Sequence, residues 1–134
     1  MCYGARVAGL YSDVILDRFK HPRYFGELDS PDAASEDVNP LCGDRVRIEI
    51  RLDGGAVPEI DAIRYRGDAC AIALASADLL AEMVEGRPAR DAARVGREEL
   101  LTALQAQIRP SRLGCVTLPL NVLRSALSAL EVRR

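Results

Sequence analysis

Arg45-Val46-Arg47-Ile48-Glu49-Ile50-Arg51-Leu52 alternates charged and apolar side chains without a break. Because successive side chains of a strand point to opposite faces, this alternation predicts a β-strand with one face buried. Asp53-Gly54-Gly55 follows as a turn signal, and a second alternating run extends from Ile60 to Arg66. The two runs predict an antiparallel hairpin, which we take as the centre of the fold.

The chain on either side of the hairpin predicts one further strand and several helices. Residues 31–40 are small and polar and predict an extended segment or edge strand, whereas beyond Gly67 the apolar period becomes helical. Helices are predicted over residues 10–20, 70–85, 88–94, 97–108 and 116–130. This order predicts a single α+β domain over residues 1–134, with residues 1–9 flexible. It consists of a small three-stranded antiparallel sheet packed on one side by several helices.

Composition excludes several classes of function. Eighteen basic and twenty acidic side chains leave a net charge of −2, so there is no basic footprint for nucleic acid. His21 is the one histidine, which excludes three-histidine zinc sites and most Ser-His or Cys-His hydrolases, and we expect it to be a solvated helix cap. Asp78, Glu82 and Glu85 are expected to form a solvated helix face.

No membrane partner is expected from the sequence. The longest apolar stretch that we identify, residues 70–77, is far shorter than the ~20 residues of a membrane helix. The first ten residues do not resemble a signal peptide. We therefore expect a cytoplasmic location, where thiols stay reduced and cysteines serve as metal ligands, nucleophiles or core residues rather than in disulfides.

Three of the four cysteines, Cys42, Cys70 and Cys115, lie at junctions between predicted elements, and Cys2 lies near the N-terminus. Cys70 and Cys115 are each predicted to begin a helix, where unpaired amides and the macrodipole favour a thiolate. Asp44 shares a Cys-Gly-Asp turn with Cys42, so its carboxylate can point to the same side. Three thiolates and one carboxylate would complete a four-coordinate site for zinc or iron. The alternative is that the three cysteines are small buried hydrophobes.

Two blocks carry a more specific signal, Asn39-Pro40-Leu41-Cys42-Gly43-Asp44 and Arg66-Gly67-Asp68-Ala69-Cys70-Ala71-Ile72-Ala73, followed by the Gly114-Cys115 turn. In these blocks, and from Leu10 to about Leu130, the sequence resembles the U-type iron–sulfur cluster assembly scaffolds, the IscU/NifU/SufU-like family. The resemblance implies an IscU/SufE-like α+β fold. It also implies that Cys42, Asp44, Cys70 and Cys115 hold a transient [2Fe–2S] cluster or Zn²⁺.

The resemblance further implies a scaffold without turnover chemistry of its own. Sulfur would arrive as persulfide from a cysteine desulfurase, with Cys115 the first candidate acceptor and Cys42 the second, and the cluster would pass to recipient apo iron–sulfur proteins. Two alternatives stay open: a zinc-dependent sulfurtransferase of SufU type, and a structural zinc domain that binds protein partners.

Two departures from the family pattern lie just before Cys115. The housekeeping branch has histidine immediately before its last cysteine, where this chain has Gly114, and the SufU-like branch also lacks that histidine. The same housekeeping branch carries a Leu-Pro-Pro-Val-Lys chaperone segment, which Arg109-Pro110-Ser111-Arg112-Leu113 replaces here. We therefore expect no recognition by a dedicated Hsp70-type chaperone. Instead, we expect residues 109–115 to be exposed, with Arg109 and Arg112 contacting the desulfurase.

Overall fold

The computed structural model describes residues 12–132 and contains the elements that the sequence predicts, in the same order. They are α1 (Asp13–Lys20), β1 (Ala33–Val38), β2 (Arg45–Leu52), β3 (Ile60–Asp68), α2 (Ala71–Val84), α3 (Ala89–Ala92), α4 (Arg97–Leu104), a 3₁₀ turn (Pro110–Arg112) and α5 (Leu113–Val132). The expectations for residues 1–9, for Cys2 and for the start of the predicted first helix at residues 10 and 11 lie outside the described residues.

The three strands form one antiparallel sheet in the order β1-β2-β3, as predicted. The apolar residues of the alternating run, Val46, Ile48 and Ile50, are buried on the inner face. Gly67 faces Val46 across the β2–β3 pair, and a Cβ at Gly67 would lie 2.3 Å from the carbonyl oxygen of Arg45. Only glycine permits this approach of the two strands, which brings the start of β2 beside the end of β3.

The longer helices cover the inner face of the sheet. α5 packs against β1 and β2, α2 packs against β3 and α5, and α1 lies against α2. This arrangement confirms the predicted α+β fold, with the helices on one side. It also places the loop before β2, the start of α2 and the start of α5 at the same end of the molecule.

Two local predictions differ from the structure. The helix predicted over residues 97–108 ends at Leu104, because Gln105 adopts the left-handed conformation with φ of 52°. The prediction that Asp78 belongs to a solvated helix face is wrong, because its side chain is fully buried. Asp78 accepts a hydrogen bond from Arg18 at 2.9 Å, whereas its neighbour Glu82 is exposed as expected.

α5 is longer and more apolar than the sequence analysis recognised. The 21 residues from Pro110 to Leu130 are long and apolar enough to cross a membrane by length and composition alone, although polar residues interrupt the stretch. Half of this stretch is buried inside the fold. Val116, Leu120, Leu123 and Leu127 lie in the hydrophobic core, as in the central helix of a globular domain.

Candidate metal centre

The loop before β2 is organised by Asn39. The Asn39 carbonyl oxygen accepts the backbone N–H of Gly43 at 2.7 Å and that of Cys42 at 3.3 Å, and the Asn39 N–H donates to the Asp44 carbonyl at 2.8 Å. Gly43 has φ of +77°, a conformation that glycine adopts without steric cost. The resulting tight turn leaves Cys42 exposed and carries Asp44 into the interior.

Cys70 and Cys115 reach the same end of the molecule from two helices. Cys70 is the N-cap of α2, as predicted, and its backbone N–H donates to Asp44 Oδ1 at 3.1 Å. Cys115 lies in the first turn of α5 and is only 3% exposed. Cys42, Cys70 and Cys115 are all free thiols.

The structure brings three of the four predicted ligands into one group. The ligand atoms of Cys42, Asp44 and Cys115 all lie within 4.8 Å of one another. Ligand atoms around a tetrahedral zinc are separated by about 3–4 Å, given bond lengths of about 2.0–2.3 Å. The Cys70 sulfur lies outside this group but beside the Cys115 thiol, with which it interacts.

Asp44 supplies a separate test of whether a metal fits here. Its carboxylate is buried, and Oδ2 has no hydrogen-bond partner among the residues that the structure describes. Buried polar atoms are almost always hydrogen-bonded, and an exception calls for an explanation such as an ion. Thiolate and carboxylate donors together suit zinc or iron. The residues present therefore fit a metal ion or an iron–sulfur cluster.

Cys115 differs from the exposed, reactive thiol that the sequence analysis expected. Burial is the main cause that raises the pKa of the Cys115 thiol, the adjacent Cys70 and Asp44 raise it as well, and Arg112 opposes them; together they bring this pKa to about 12. Burial thus opposes the thiolate that the helix N-terminus is expected to favour at Cys115. The expectation that residues 109–115 are exposed holds for Arg109 and fails for Cys115.

Arg112 lies at the candidate metal centre, which the sequence did not predict. Its guanidinium interacts with the sulfurs of Cys70 and of Cys115, and these contacts raise the arginine pKa above its ordinary value. The sequence predicts that Arg109 and Arg112 contact the desulfurase, and for both residues this stays a prediction. The sequence signal that could have placed Arg112 beside Cys115 is spacing, because Arg112 precedes Cys115 by three residues, about one helical turn.

His21 is the exposed C-cap of α1, where its backbone N–H donates to the Asp17 carbonyl at 2.7 Å. This confirms the prediction of a solvated helix cap. The candidate metal ligands in the described chain are therefore the sulfur and carboxylate donors at the other junctions.

With the site described, comparison with known proteins identifies the family. The family model of the NifU-like N-terminal domain matches residues 10–134. The chain belongs to this family. It is 36% identical over 88 residues to the zinc-dependent sulfurtransferase SufU of Bacillus subtilis, covering 65% of this chain and 56% of that protein. It is 29% identical over 118 residues to the iron–sulfur cluster assembly scaffold protein IscU 1 of Archaeoglobus fulgidus, covering 88% of this chain and 74% of that protein.

Other matches differ widely in length. The chain is 33% identical over 116 residues to the bifunctional protein NifU/MnmA of Rubrobacter xylanophilus, covering 87% of this chain but only 23% of that protein. The chain thus spans about a quarter of one of these relatives and about half of the SufU relative. Among solved structures, a putative iron–sulfur cluster assembly scaffold protein for the SUF system from Fervidobacterium islandicum has a TM-score of 0.74 at 25% identity, covering 87% of this chain and 96% of that chain.

Proposed function

We propose that this protein is an iron–sulfur cluster assembly scaffold that accepts sulfur from a cysteine desulfurase. It would hold a [2Fe–2S] cluster or a metal ion transiently and pass the cluster to recipient apo iron–sulfur proteins. One observation carries the proposal: the ligand atoms of Cys42, Asp44 and Cys115 lie within 4.8 Å of one another, at a place where Asp44 Oδ2 has no partner among the described residues. The names of the IscU and SufU relatives support the same role.

In this proposal Cys42, Cys115 and Cys70 supply thiolates and Asp44 supplies one carboxylate oxygen to the cargo. Thiolates are soft donors that suit iron–sulfur clusters, whereas a carboxylate is a harder donor. Asp44 is therefore the ligand at which we expect a bound cluster to be released most easily. The turn at Gly43 joins the buried Asp44 to the exposed Cys42, so a recipient protein can reach the Cys42 ligand directly.

Accessibility favours Cys42 over Cys115 as the first sulfur acceptor. Cys42 is exposed, while Cys115 is 3% exposed. The Cys42 thiolate, having lost its proton to solvent, attacks the terminal sulfur of the desulfurase persulfide. A new S–S bond forms at Cys42, the S–S bond of the desulfurase breaks, and its cysteine leaves as a thiolate. We retain Cys115 as the second candidate.

A zinc-dependent sulfurtransferase of SufU type is the second candidate function. The exposed thiol of Cys42 favours it, because one ligand of a zinc ion held by this group would remain within reach of a partner protein. The SufU relative is also 36% identical over the aligned residues. Under either function we place the protein in the cytoplasm, where its thiols stay reduced. We propose no nucleic-acid, membrane or dedicated Hsp70-type partner.

The two functions differ in what the protein accumulates when it is incubated anaerobically with a desulfurase, cysteine and ferrous iron. The scaffold gains visible charge-transfer absorption and acid-labile sulfide, while the transferase keeps tightly bound zinc and gains persulfide without a cluster. Cys42→Ala should abolish either product, and Cys2→Ala serves as the matched control and should leave it unchanged. If the wild-type protein binds neither metal nor sulfur, both functions are excluded.

A further inference from the structure

Gly114, which directly precedes Cys115, lies against the side chain of Asn39. A Cβ added at Gly114 would be 2.9 Å from the Asn39 side-chain nitrogen Nδ2 and 3.9 Å from Cγ. The first of these distances is shorter than side-chain contacts normally allow. The contact joins the start of α5, which carries Cys115, to the loop that carries Cys42 and Asp44.

Asn39 connects to most of that loop. Besides the three backbone hydrogen bonds described above, its side-chain oxygen Oδ1 accepts the backbone N–H of Leu41 at 3.1 Å. The side-chain amide of Asn39 is thus held at Oδ1 by the loop. At Nδ2 it lies where a side chain at position 114 would be. A displacement of this amide must either break the bond to Leu41 or move the loop with it.

We infer that the Gly114–Asn39 contact positions the Cys42–Asp44 loop relative to Cys115, and so sets how well the site closes around a metal. This inference rests on the proposed function, because it concerns the same ligands. The ligand atoms now lie within 4.8 Å of one another and must approach to about 3–4 Å around a tetrahedral ion. A Cβ at Gly114 would displace the Asn39 amide and the loop that it holds, and so would change the separation of Cys42 and Asp44 from Cys115. Gly114 and Asn39 are therefore positioning residues rather than ligands.

A double-mutant cycle on zinc affinity tests the inference. Zinc binding is measured by competition with a chromophoric chelator for the wild type, Gly114→Ala, Asn39→Ala and the double variant. We expect Gly114→Ala to bind zinc about tenfold more weakly, the size of effect that residues supporting metal ligands usually have. In the Asn39→Ala background the same Gly114→Ala change should have no effect, because the group that it displaces is gone. Equal effects in the two backgrounds would overturn the inference.

Two further measurements separate positioning from general stability. The absorption of bound cobalt(II) reports ligand geometry. The spectrum of Gly114→Ala should differ from that of the wild type, whereas the spectra of Asn39→Ala and of the double variant should be the same. The melting temperature of the metal-free Gly114→Ala protein should change by no more than a few degrees, because the helical preference for alanine offsets the loss of the exposed Leu41–Asn39 hydrogen bond. A parallel loss of melting temperature and zinc affinity would assign the residue a structural role and overturn the inference.

Gly96→Ala is the matched control for the glycine substitution. Gly96 is the N-cap of α4, its φ is negative, and within the described chain nothing lies within 4 Å of its added Cβ. It should leave zinc affinity and the cobalt spectrum unchanged. Unchanged zinc affinity of Gly114→Ala overturns only this inference, whereas a wild-type protein that binds no metal overturns the proposed function as well.

Discussion

Asp44 and Asp78 are both buried aspartates, at 7% and 0% exposure, but they differ in how many partners they have. Asp78 Oδ1 accepts the backbone N–H groups of Arg23 and Tyr24, each at 2.9 Å, and Oδ2 accepts Arg18 at 2.9 Å. The Tyr65 hydroxyl also interacts with Asp78. Asp44 accepts one bond, from the Cys70 N–H, and its Oδ2 has no partner within residues 12–132.

The difference separates a structural carboxylate from one that remains available to a ligand. The interactions of Asp78 tie α2 to α1, to the segment after α1 and to β3, and an ion could bind there only by breaking them. Asp44 has a buried oxygen with no donor in the described chain, and a carboxylate oxygen of Asp44 lies within 4.8 Å of the sulfurs of Cys42 and Cys115. A buried oxygen without a partner costs about 1–3 kcal/mol, which a bound cation would recover.

The largest expected effect is the loss of stability when Asp78 is replaced. Asp78→Ala leaves the Arg18 guanidinium, whose side chain is 11% exposed, without its buried partner. Breaking a buried ion pair in this way usually costs about 3–5 kcal/mol. The free energy of unfolding of the metal-free protein, measured in urea, should fall by that amount. Glu82→Gln removes the exposed partner of the same arginine and should cost no more than about 1 kcal/mol. Equal losses from the two variants would contradict the comparison.

The second prediction concerns metal binding by Asp44. Asp44→Asn keeps the shape of the side chain and its bond to the Cys70 N–H but removes the charge that would ligate a metal. We expect zinc affinity to fall about 100-fold, at the upper end of the effects seen when metal-site residues are changed. Competition with a chromophoric chelator measures the change. An Asp44→Asn protein with wild-type zinc affinity would show that the orphaned oxygen is not a metal ligand.

The elements of the fold could be predicted because their signals are local. The alternation from Arg45 to Leu52 depends only on which face of a strand is buried, and the change to helical period after Gly67 is equally visible in the sequence. The junction positions of Cys42 and Cys70 followed from the same boundaries. The end of α4 was missed because Gln105, a non-glycine residue, adopts a left-handed conformation that its identity does not signal.

The side chains whose burial the sequence did not predict are buried by contacts between distant parts of the chain. Asp78 lies among acidic residues at helical spacing, and only its pairing with Arg18, sixty residues away, shows that it is buried. The sequence also predicts an exposed Cys115, whereas the packing of α5 against β1 and β2 leaves this thiol 3% exposed. Burial of individual polar residues therefore could not be predicted from local pattern.

The third prediction extends the comparison to the thiols around Asp44. In the metal-free protein Cys42 is exposed, whereas Cys115 is 3% exposed and burial raises the pKa of its thiol to about 12. Alkylation requires an accessible thiolate, so iodoacetamide should modify Cys42 at least about tenfold faster than Cys115. Mass spectrometry of peptides after timed labelling gives both rates in one sample. Labelling in urea should abolish the difference, and comparable rates in the folded protein would remove the preference for Cys42 as sulfur acceptor.

The smallest expected effect is that of Asp44→Asn on the metal-free protein, and it sharpens the contrast with Asp78. The substitution preserves the acceptor that bonds to the Cys70 N–H and replaces the orphaned charged oxygen by a neutral amide. Because an unpaired buried charge is costly, its removal should leave the free energy of unfolding unchanged or raise it by about 1 kcal/mol. Urea unfolding in the presence of a chelator measures this, with Asp78→Asn as the matched variant, which should be destabilised because its amide cannot replace the ion pair to Arg18. A loss of stability in Asp44→Asn as large as that in Asp78→Asn would mean that Asp44 is structural, and the distinction between the two aspartates would then fail.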